Sequence, residues 1–199
     1  MSKKDRKVWY NVYWKLVMYM KYIVLLRGIN ISGKNKIAMS ELKKSLESNN
    51  YSDVITYLNS GNVILNSDNS KEYIVNDIKT LIKKKFNLEI PVYVIEHLEL
   101  KDILEHNPNW WGTNNKEIYD NIIFVMPPIS SKDVFDSIGE PSIDIDKVQE
   151  YNNIIFWSFD LNNYKKSNWW KRTATESIKD QITIRTANTM KKILELCNK

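Results

Sequence analysis

The chain has 199 residues, of which 43% are hydrophobic and 27% are charged, a composition typical of a globular protein with a substantial core. A single cysteine, Cys197, excludes an intrachain disulfide and a cysteine-rich metal site, and it favours a reducing, cytoplasmic compartment. The formal net charge is +5, but residues 1–19 hold five basic residues and one acidic residue, so the remaining chain is nearly neutral. A near-neutral body lacks the general basic surface of a nucleic-acid-binding domain.

Residues 1–19 form a basic and aromatic N-terminal extension. The apolar run from Val8 to Leu26 has the length of a membrane span, but Lys15 and Lys21 lie inside it. Each lysine costs about 2.5–3.5 kcal/mol near the centre of a membrane helix, so the sequence predicts no span. Two interpretations of the extension are left open. It is either an upstream segment outside the native fold, or an amphipathic segment that lies at an interface.

The first half predicts the order strand, helix, strand, strand, helix, strand. The predicted elements are Lys21–Arg27, Glu41–Ser48, Asp53–Leu58, Val63–Leu65, Lys71–Phe86 and Pro91–Ile95. Ser40 is the expected N-cap of the first helix, because a serine side chain can accept a hydrogen bond from the first turn. The turn residues Asn59–Asn62 predict a hairpin between the second and third strands. This order is the split arrangement of ferredoxin-like folds.

The second half repeats the same pattern after a connecting helix at Leu98–Glu105. The predicted elements are Asn121–Met126, Lys132–Ile138, Lys147–Tyr151, Ile154–Phe159, Asn168–Lys179 and Ile182–Arg185, followed by a terminal helix at Ala187–Cys197. The predicted fold class is therefore α+β, with two ferredoxin-like subdomains at residues 20–97 and 98–199, antiparallel sheets and a C-terminal helix.

This topology predicts a candidate site at one edge of the first sheet. In a split βαβ unit the first two strands run parallel, so the loop Gly28–Ile37 and the turn Asn59–Asn62 should be neighbours. Cations, amides and glycines next to a helix start suit a small anionic ligand with a phosphate or carboxylate group. The alternative is a pair of tight turns whose side chains satisfy their own backbone. The candidate residues are Arg27, Gly28, Asn30, Gly33, Lys34, Ser60, Gly61 and Asn62, with Arg185 and Asn188 as a second cluster.

The segment Gly28–Lys34 also fits the first seven positions of the phosphate-binding loop G-x-x-x-x-G-K-[ST]. The eighth position is Asn35, so the hydroxyl that would hold Mg²⁺ is missing. The following helix is predicted to begin only near Ser40, whereas in that motif it begins at the Gly-Lys pair. The sequence therefore does not favour a nucleoside triphosphatase.

Several short motifs resemble those of an uncharacterised bacterial family, domain of unknown function 1697. The matching elements are LLRGIN at Leu25–Asn30, the run Gly33-Lys34-Asn35, Met39, T-Y-x-x-S-G-N at Thr56–Asn62, and the C-terminal Thr183, Arg185, Asn188, Thr189 and Lys192. Thr186 and Ala187 depart from an Asn-Trp pair in the C-terminal pattern. The resemblance begins at Met20 and implies a cytoplasmic α+β protein of two ferredoxin-like subdomains. It implies no activity, so enzymatic function and cofactors stay open.

Other chemistries have weaker support in the sequence. His97 and His106 match no metal-ligand spacing, and no metal site is predicted. Trp110-Trp111 and Trp169-Trp170 either provide stacking surfaces or place one ring of each pair in the core. The basic and aromatic segment Tyr164–Arg172 is the basis of the alternative function, a nucleic-acid or protein interaction module. No RNP1-like run supports RNA binding, so a small anionic ligand is the preferred partner.

Overall fold

The computed structural model describes residues 20–174 and 177–199, and the predictions for residues 1–19 lie outside this range. The strands are β1 (Met20–Leu26), β2 (Ser52–Tyr57), β3 (Asn62–Ser67), β4 (Val92–Glu96), β5 (Ile118–Val125), β6 (Asp146–Tyr151), β7 (Ile154–Asp160) and β8 (Ile182–Thr186). The helices are α1 (Met39–Glu47), α2 (Lys71–Phe86), α3 (His97–Glu105), α4 (Ser131–Ile138), α5 (Asn168–Arg172) and α6 (Ala187–Cys197). No helix in these described ranges is long and apolar enough to cross a membrane.

The strands form two four-stranded antiparallel sheets with the same topology. The first sheet has the order β2-β3-β1-β4, and the second has the order β6-β7-β5-β8. Because β1 and β2 both pair antiparallel with β3, they run parallel to each other. The predicted α+β class, with two ferredoxin-like strand orders and a C-terminal helix, is confirmed. The division at residues 97 and 98 stays a prediction.

Each sheet buries one face under its own helices. Alternate residues of β1, such as Val24 and Leu26, pack with Leu42 of α1 and Ile78 of α2. In the second half, α4 and α5 cover β5 and β7 in the same way. This alternation is the period-two pattern of a strand with two differently packed faces.

The other faces of the two sheets share a central apolar cluster. Ile23 and Leu25 of β1 belong to this cluster together with Ile122 of β5, and α3 and α6 complete it. The Tyr93 and Phe124 rings, one from each sheet, have centroids 5.2 Å apart. RNA-recognition domains of this topology bind bases on the open face of the sheet. Here that face is buried between the two halves.

Two predicted helix boundaries are wrong. The first helix begins at Met39 after the N-cap Ala38, which has an extended backbone and no side-chain atom that could accept a capping hydrogen bond. Ser40 therefore lies inside the first turn rather than at the N-cap. The helix predicted at Asn168–Lys179 is the short α5, followed by a 3-10 turn at Ser177–Gln181. Thr173 is the C-cap of α5, and β-branched threonine is a weak helix former.

Candidate functional site

The loop after β1 and the hairpin turn between β2 and β3 are in direct contact, as the topology predicts. The amide nitrogen of Asn30 donates to Asn59 O at 2.8 Å and to Ile37 O at 2.9 Å. Its Oδ1 accepts from the backbone N–H of Ile37 at 2.9 Å. Asn30 has a φ of 55°, a left-handed conformation that asparagine tolerates better than most residues. Its side chain therefore joins both ends of the loop to the turn, and its polar atoms are engaged there.

A cleft of about 440 Å³ opens between this loop, the turn and the start of α1. Its lining residues are Asn30, Gly33, Lys36, Ile37, Ala38, Met39 and Asn59. Lys36 is the charged residue among them, and it is exposed. None of these lining residues is acidic. The cleft is therefore electropositive in its side-chain composition.

Backbone donors near the cleft have no acceptor among the described residues. Ser32 and Gly33, at the tip of the loop, have φ values of 49° and 77°, and the hydrogen bond from Lys34 N to Ile31 O closes the tip around them. The amides of Ser32 and Gly33 make no hydrogen bond within the described chain. The first helical bonds of α1 come from Glu41 and Leu42, and no side chain in the described part of the chain caps the amides that precede them. The unbonded amides in the first turn of α1 carry the positive end of the helix dipole.

The corresponding helix start in the second half has its amides satisfied internally. Ser130 and Asp133 form a capping box at the start of α4, with both reciprocal hydrogen bonds present. The N–H of Ser131 also donates to Oδ1 of Asn153, in the β6–β7 turn, at 2.6 Å. In the second half, side-chain oxygens of the chain itself thus accept hydrogen bonds at the helix start. The equivalent position beside α1 stays open.

Gly61 is required where the hairpin turn packs against the end of β1. Its φ is 81°, and a Cβ at this position would lie 2.6 Å from Cβ of Leu26 and 2.9 Å from Cδ1 of Ile29. Gly28 and Gly33 also have positive φ values, but a Cβ at either position would meet open space. Gly61 therefore sets the close approach of the turn, whereas the other two glycines serve the loop conformation alone.

Arg27 faces the junction between the two halves rather than the cleft. Its Nη1 donates to Ile182 O at 2.6 Å, and its Nε lies 3.7 Å from Oδ1 of the exposed Asp180. Burial lowers the pKa of the guanidinium, and the neighbouring carboxylate opposes this shift. Both contacts belong to the second half of the chain.

Arg185 makes the converse connection from β8 to the first half. Its Nε donates to Oδ1 of Asn62 at 2.5 Å, and its Nη2 donates to Leu26 O at 2.7 Å and Ser60 O at 3.0 Å. Its Nη1 donates within its own strand, to Thr183 Oγ1 and Ile184 O. These contacts use the five N–H donors of the guanidinium. Burial, with a smaller effect of nearby Arg27, lowers the pKa of Arg185 to about 10, so the side chain stays charged at neutral pH.

The structure thus joins the second predicted cluster to the first through Arg185, a connection that the sequence left open. Asn62 is buried and also donates to Tyr57 O, and Ser60 Oγ accepts from Asn62. Lys34 is an exposed residue of the loop, and Asn188 is exposed on the first turn of α6. Of the predicted candidate residues, Asn30 and Gly33 line the cleft, and Lys36 of the same loop lines it as well.

The comparisons with known proteins identify the family. A family model described as protein of unknown function (DUF1697) matches residues 20–156. The chain belongs to the DUF1697 family. Among solved structures, the conserved bacterial protein SP0830 from Streptococcus pneumoniae is similar to this chain, with 26% identity and a TM-score of 0.78. The similarity covers 88% of this chain and 97% of that one. The comparison with curated proteins returned no match.

The tryptophan pairs of this DUF1697 protein are each divided between core and surface. Trp169 is fully buried, and its Nε1 donates to Gly139 O at 3.0 Å. Trp170 is 43% exposed and packs between the Phe159 and Tyr164 rings, with centroids 5.3 and 5.2 Å away. Trp111 is likewise buried, and Trp110 is partly buried. The interpretation that one ring of each pair packs in the core is confirmed.

No group of three or more histidine, cysteine, aspartate or glutamate side chains within residues 20–174 and 177–199 is arranged to hold a metal ion. His106 instead stacks on Tyr151 with ring centroids 4.7 Å apart, and Asp102 accepts a 3.0 Å hydrogen bond from the Tyr151 hydroxyl. These contacts join α3 to the end of β6.

Proposed function

We propose that this DUF1697 protein binds a small anionic ligand, with a phosphate or carboxylate group, in the cleft beside α1. The observation that carries this proposal is the composition of the cleft lining, which includes Lys36 and backbone of the loop but no carboxylate. A ligand oxygen there would meet a cation and amides that lack an acceptor within the described chain.

The contrast between the two halves supports the same function. At the start of α4, Ser130, Asp133 and Asn153 supply oxygens to the helix amides. At the start of α1 no side chain of the described residues takes this position, although the two halves share one topology. An anionic ligand would supply there what Asp133 supplies in the second half, a negatively charged oxygen at the positive end of a helix.

Three of the residues predicted for the site have another role in this proposal. Arg27, Arg185 and Asn62 donate or accept within the junction between the halves, so they support the site rather than contact the ligand. The residues that remain as expected ligand contacts are Lys34, Lys36 and the backbone amides of the loop. No reaction is proposed for this cleft.

The test is titration of the protein with inorganic phosphate, pyrophosphate and citrate, followed by two-dimensional NMR at low ionic strength. We expect saturable shifts of the Ser32, Gly33 and Met39 amides. Lys36→Ala should weaken binding about tenfold, because a charge-assisted hydrogen bond contributes about 1.5–3 kcal/mol. The matched control is Lys79→Ala, which removes an exposed lysine of α2 that pairs with no acid among the described residues. An equal loss in both variants would show only general charge attraction, and no saturable shift would contradict the proposal.

The alternative, a nucleic-acid or protein interaction through Tyr164–Arg172, stays a prediction. Trp169 is buried in the core of the second half, so Trp170 is the exposed ring of that pair. The tryptophan pair therefore offers one exposed ring for base stacking rather than two.

A further inference from the structure

The hairpin turn that forms one wall of the cleft is held from two sides. On the cleft side, Asn30 donates to Asn59 O at 2.8 Å. On the opposite side, Arg185 donates to Ser60 O and to Oδ1 of Asn62. Consecutive residues of a single turn are therefore fixed by the loop of the first half and by a strand of the second half.

We propose that Arg185 is a positioning residue for the anion cleft, through which β8 of the second half fixes the turn that forms one cleft wall. The proposal rests on the proposed function for the role of the cleft, but the geometric link from Arg185 to the turn is independent of any ligand. It assigns the second half a part in a site whose lining residues all belong to the first half.

The guanidinium group suits this role because its donors diverge in one rigid plane. Nη1 is fixed to β8 through Thr183 Oγ1 at 2.9 Å and Ile184 O at 2.8 Å. Nε and Nη2 then project to acceptors on two separate segments, the end of β1 at Leu26 and the hairpin turn. Any displacement of β8 relative to the first sheet would move the turn with it. A lysine ammonium could not hold all of these acceptors at once.

The end of β1 and the turn are also coupled directly. Leu26 N donates to Gly61 O at 2.8 Å, and Gly61 has no room for a side chain against Leu26. The loop that carries the cleft amides begins at Gly28, two residues after Leu26. Arg185 thus contacts both the end of β1, after which the loop follows, and the hairpin turn. The loop and the turn are walls of the cleft.

The discriminating variant is Arg185→Lys, which keeps the positive charge but loses the planar, divergent donors of the guanidinium group. Its control is Arg172→Lys, because Arg172 also donates Nη1 to a carbonyl, that of Ile138 in the second half. We expect Arg185→Lys to shift the backbone and side-chain amide resonances of Asn30 and Asn59 and to weaken pyrophosphate binding about tenfold, measured well below the unfolding temperature. Arg172→Lys should lower the melting temperature and leave both readouts unchanged.

A second variant keeps the test decisive if Arg185→Lys does not fold. Thr183→Val removes one anchor of Nη1 while Arg185 stays in place, and it should produce the same resonance shifts with smaller amplitude. Unchanged Asn30 and Asn59 resonances in a folded variant would overturn the positioning role. If pyrophosphate fails to bind the parent protein while these resonances still shift, the positioning role stands and the proposed function fails.

Discussion

The Nε of Arg185 donates a 2.5 Å hydrogen bond to Oδ1 of Asn62, a residue 123 positions earlier in the chain. Both side chains are buried, with 8% and 1% of their surface exposed. The bond joins two halves that also share the apolar central cluster and the contacts of Arg27 with Ile182 and Asp180. Because apolar packing is only weakly directional, a buried charged hydrogen bond of this kind defines how the two sheets are placed relative to each other.

Arg185→Met should lower the free energy of unfolding by about 3 kcal/mol or more. Methionine fills much of the space, but Ser60 O and Oδ1 of Asn62 lose their donor, and a buried acceptor left unsatisfied costs about 1–3 kcal/mol. Urea unfolding of Arg185→Met, Asn62→Ala and the double variant measures the coupling between the two residues. We expect the double variant to be less destabilised than the sum of the single variants. Strict additivity would show that the two side chains act independently.

Gly61→Ala should destabilise the protein far more than Gly33→Ala. Both glycines have positive φ values, and alanine in that conformation costs about 1–2 kcal/mol. At Gly61 the added Cβ would also lie 2.6 Å from Cβ of Leu26, whereas at Gly33 it would meet open space. The difference between the two variants in thermal and urea unfolding therefore isolates the steric clash. Equal losses would mean that β1 and the turn can separate without cost.

The topology and the loop–turn contact could be predicted from the sequence because both depend on local patterns. The order of strands and helices fixes which chain ends meet at one edge of a sheet, and the Asn30–Asn59 contact follows from it. The roles of Arg27 and Arg185 could not be predicted. The direction in which each arginine side chain points depends on how the two sheets pack face to face. No local sequence pattern within either half encodes that packing.

The start of α1 shows the same limit at a smaller scale. Ser40 has the residue type of a good N-cap, but the N-cap lies two residues earlier, at Ala38. Met39, at the first helical position, is buried with the core under α1 and α2. Burial of an apolar side chain thus outweighs the preference for a capping serine, and this choice leaves the helix amides open beside the cleft.

Asn30→Ala should destabilise the protein more than Asn30→Gly. Both variants remove the hydrogen bonds to Ile37 and Asn59, but only alanine adds strain at a φ of 55°. We expect a loss of about 1–3 kcal/mol for the shared effect and about 1 kcal/mol more for alanine. Hydrogen exchange at Ile37, whose amide bonds to Oδ1 of Asn30, should become faster in both variants. Unchanged exchange would mean that the loop holds its form without this side chain.

Trp169→Ala should cost about 3–5 kcal/mol of unfolding free energy, and Trp170→Ala distinctly less. Trp169 is fully buried against Phe135 and Trp157, so its removal leaves a large cavity. Trp170 keeps 43% of its surface exposed, so its loss removes the contacts with Phe159 and Tyr164 but leaves a smaller cavity. Urea unfolding followed by circular dichroism measures both values. Comparable losses would show that the exposed ring carries more packing energy than its burial indicates.

Stability should fall as the pH rises from about 9 to 11, in part because of Cys197. Burial raises the pKa of this thiol from its ordinary value near 9 to about 11, and Lys21 opposes the shift. In this range the unfolded chain has released the thiol proton while the folded chain still holds it, so rising pH favours unfolding. Below pH 9 both states hold the proton, and the contribution is fully present.

The measurement is urea unfolding of the parent and of Cys197→Ala at several pH values from 8 to 11. Tyrosines whose pKa burial raises, such as Tyr22, add a slope of the same sign, so the comparison with the variant isolates the thiol. We expect the parent to lose stability more steeply than Cys197→Ala. Iodoacetamide should also label Cys197 slowly in the folded protein and rapidly in urea, since the thiolate is the reactive form. Parallel pH profiles together with rapid native labelling would contradict the burial of this thiol beneath the end of α6.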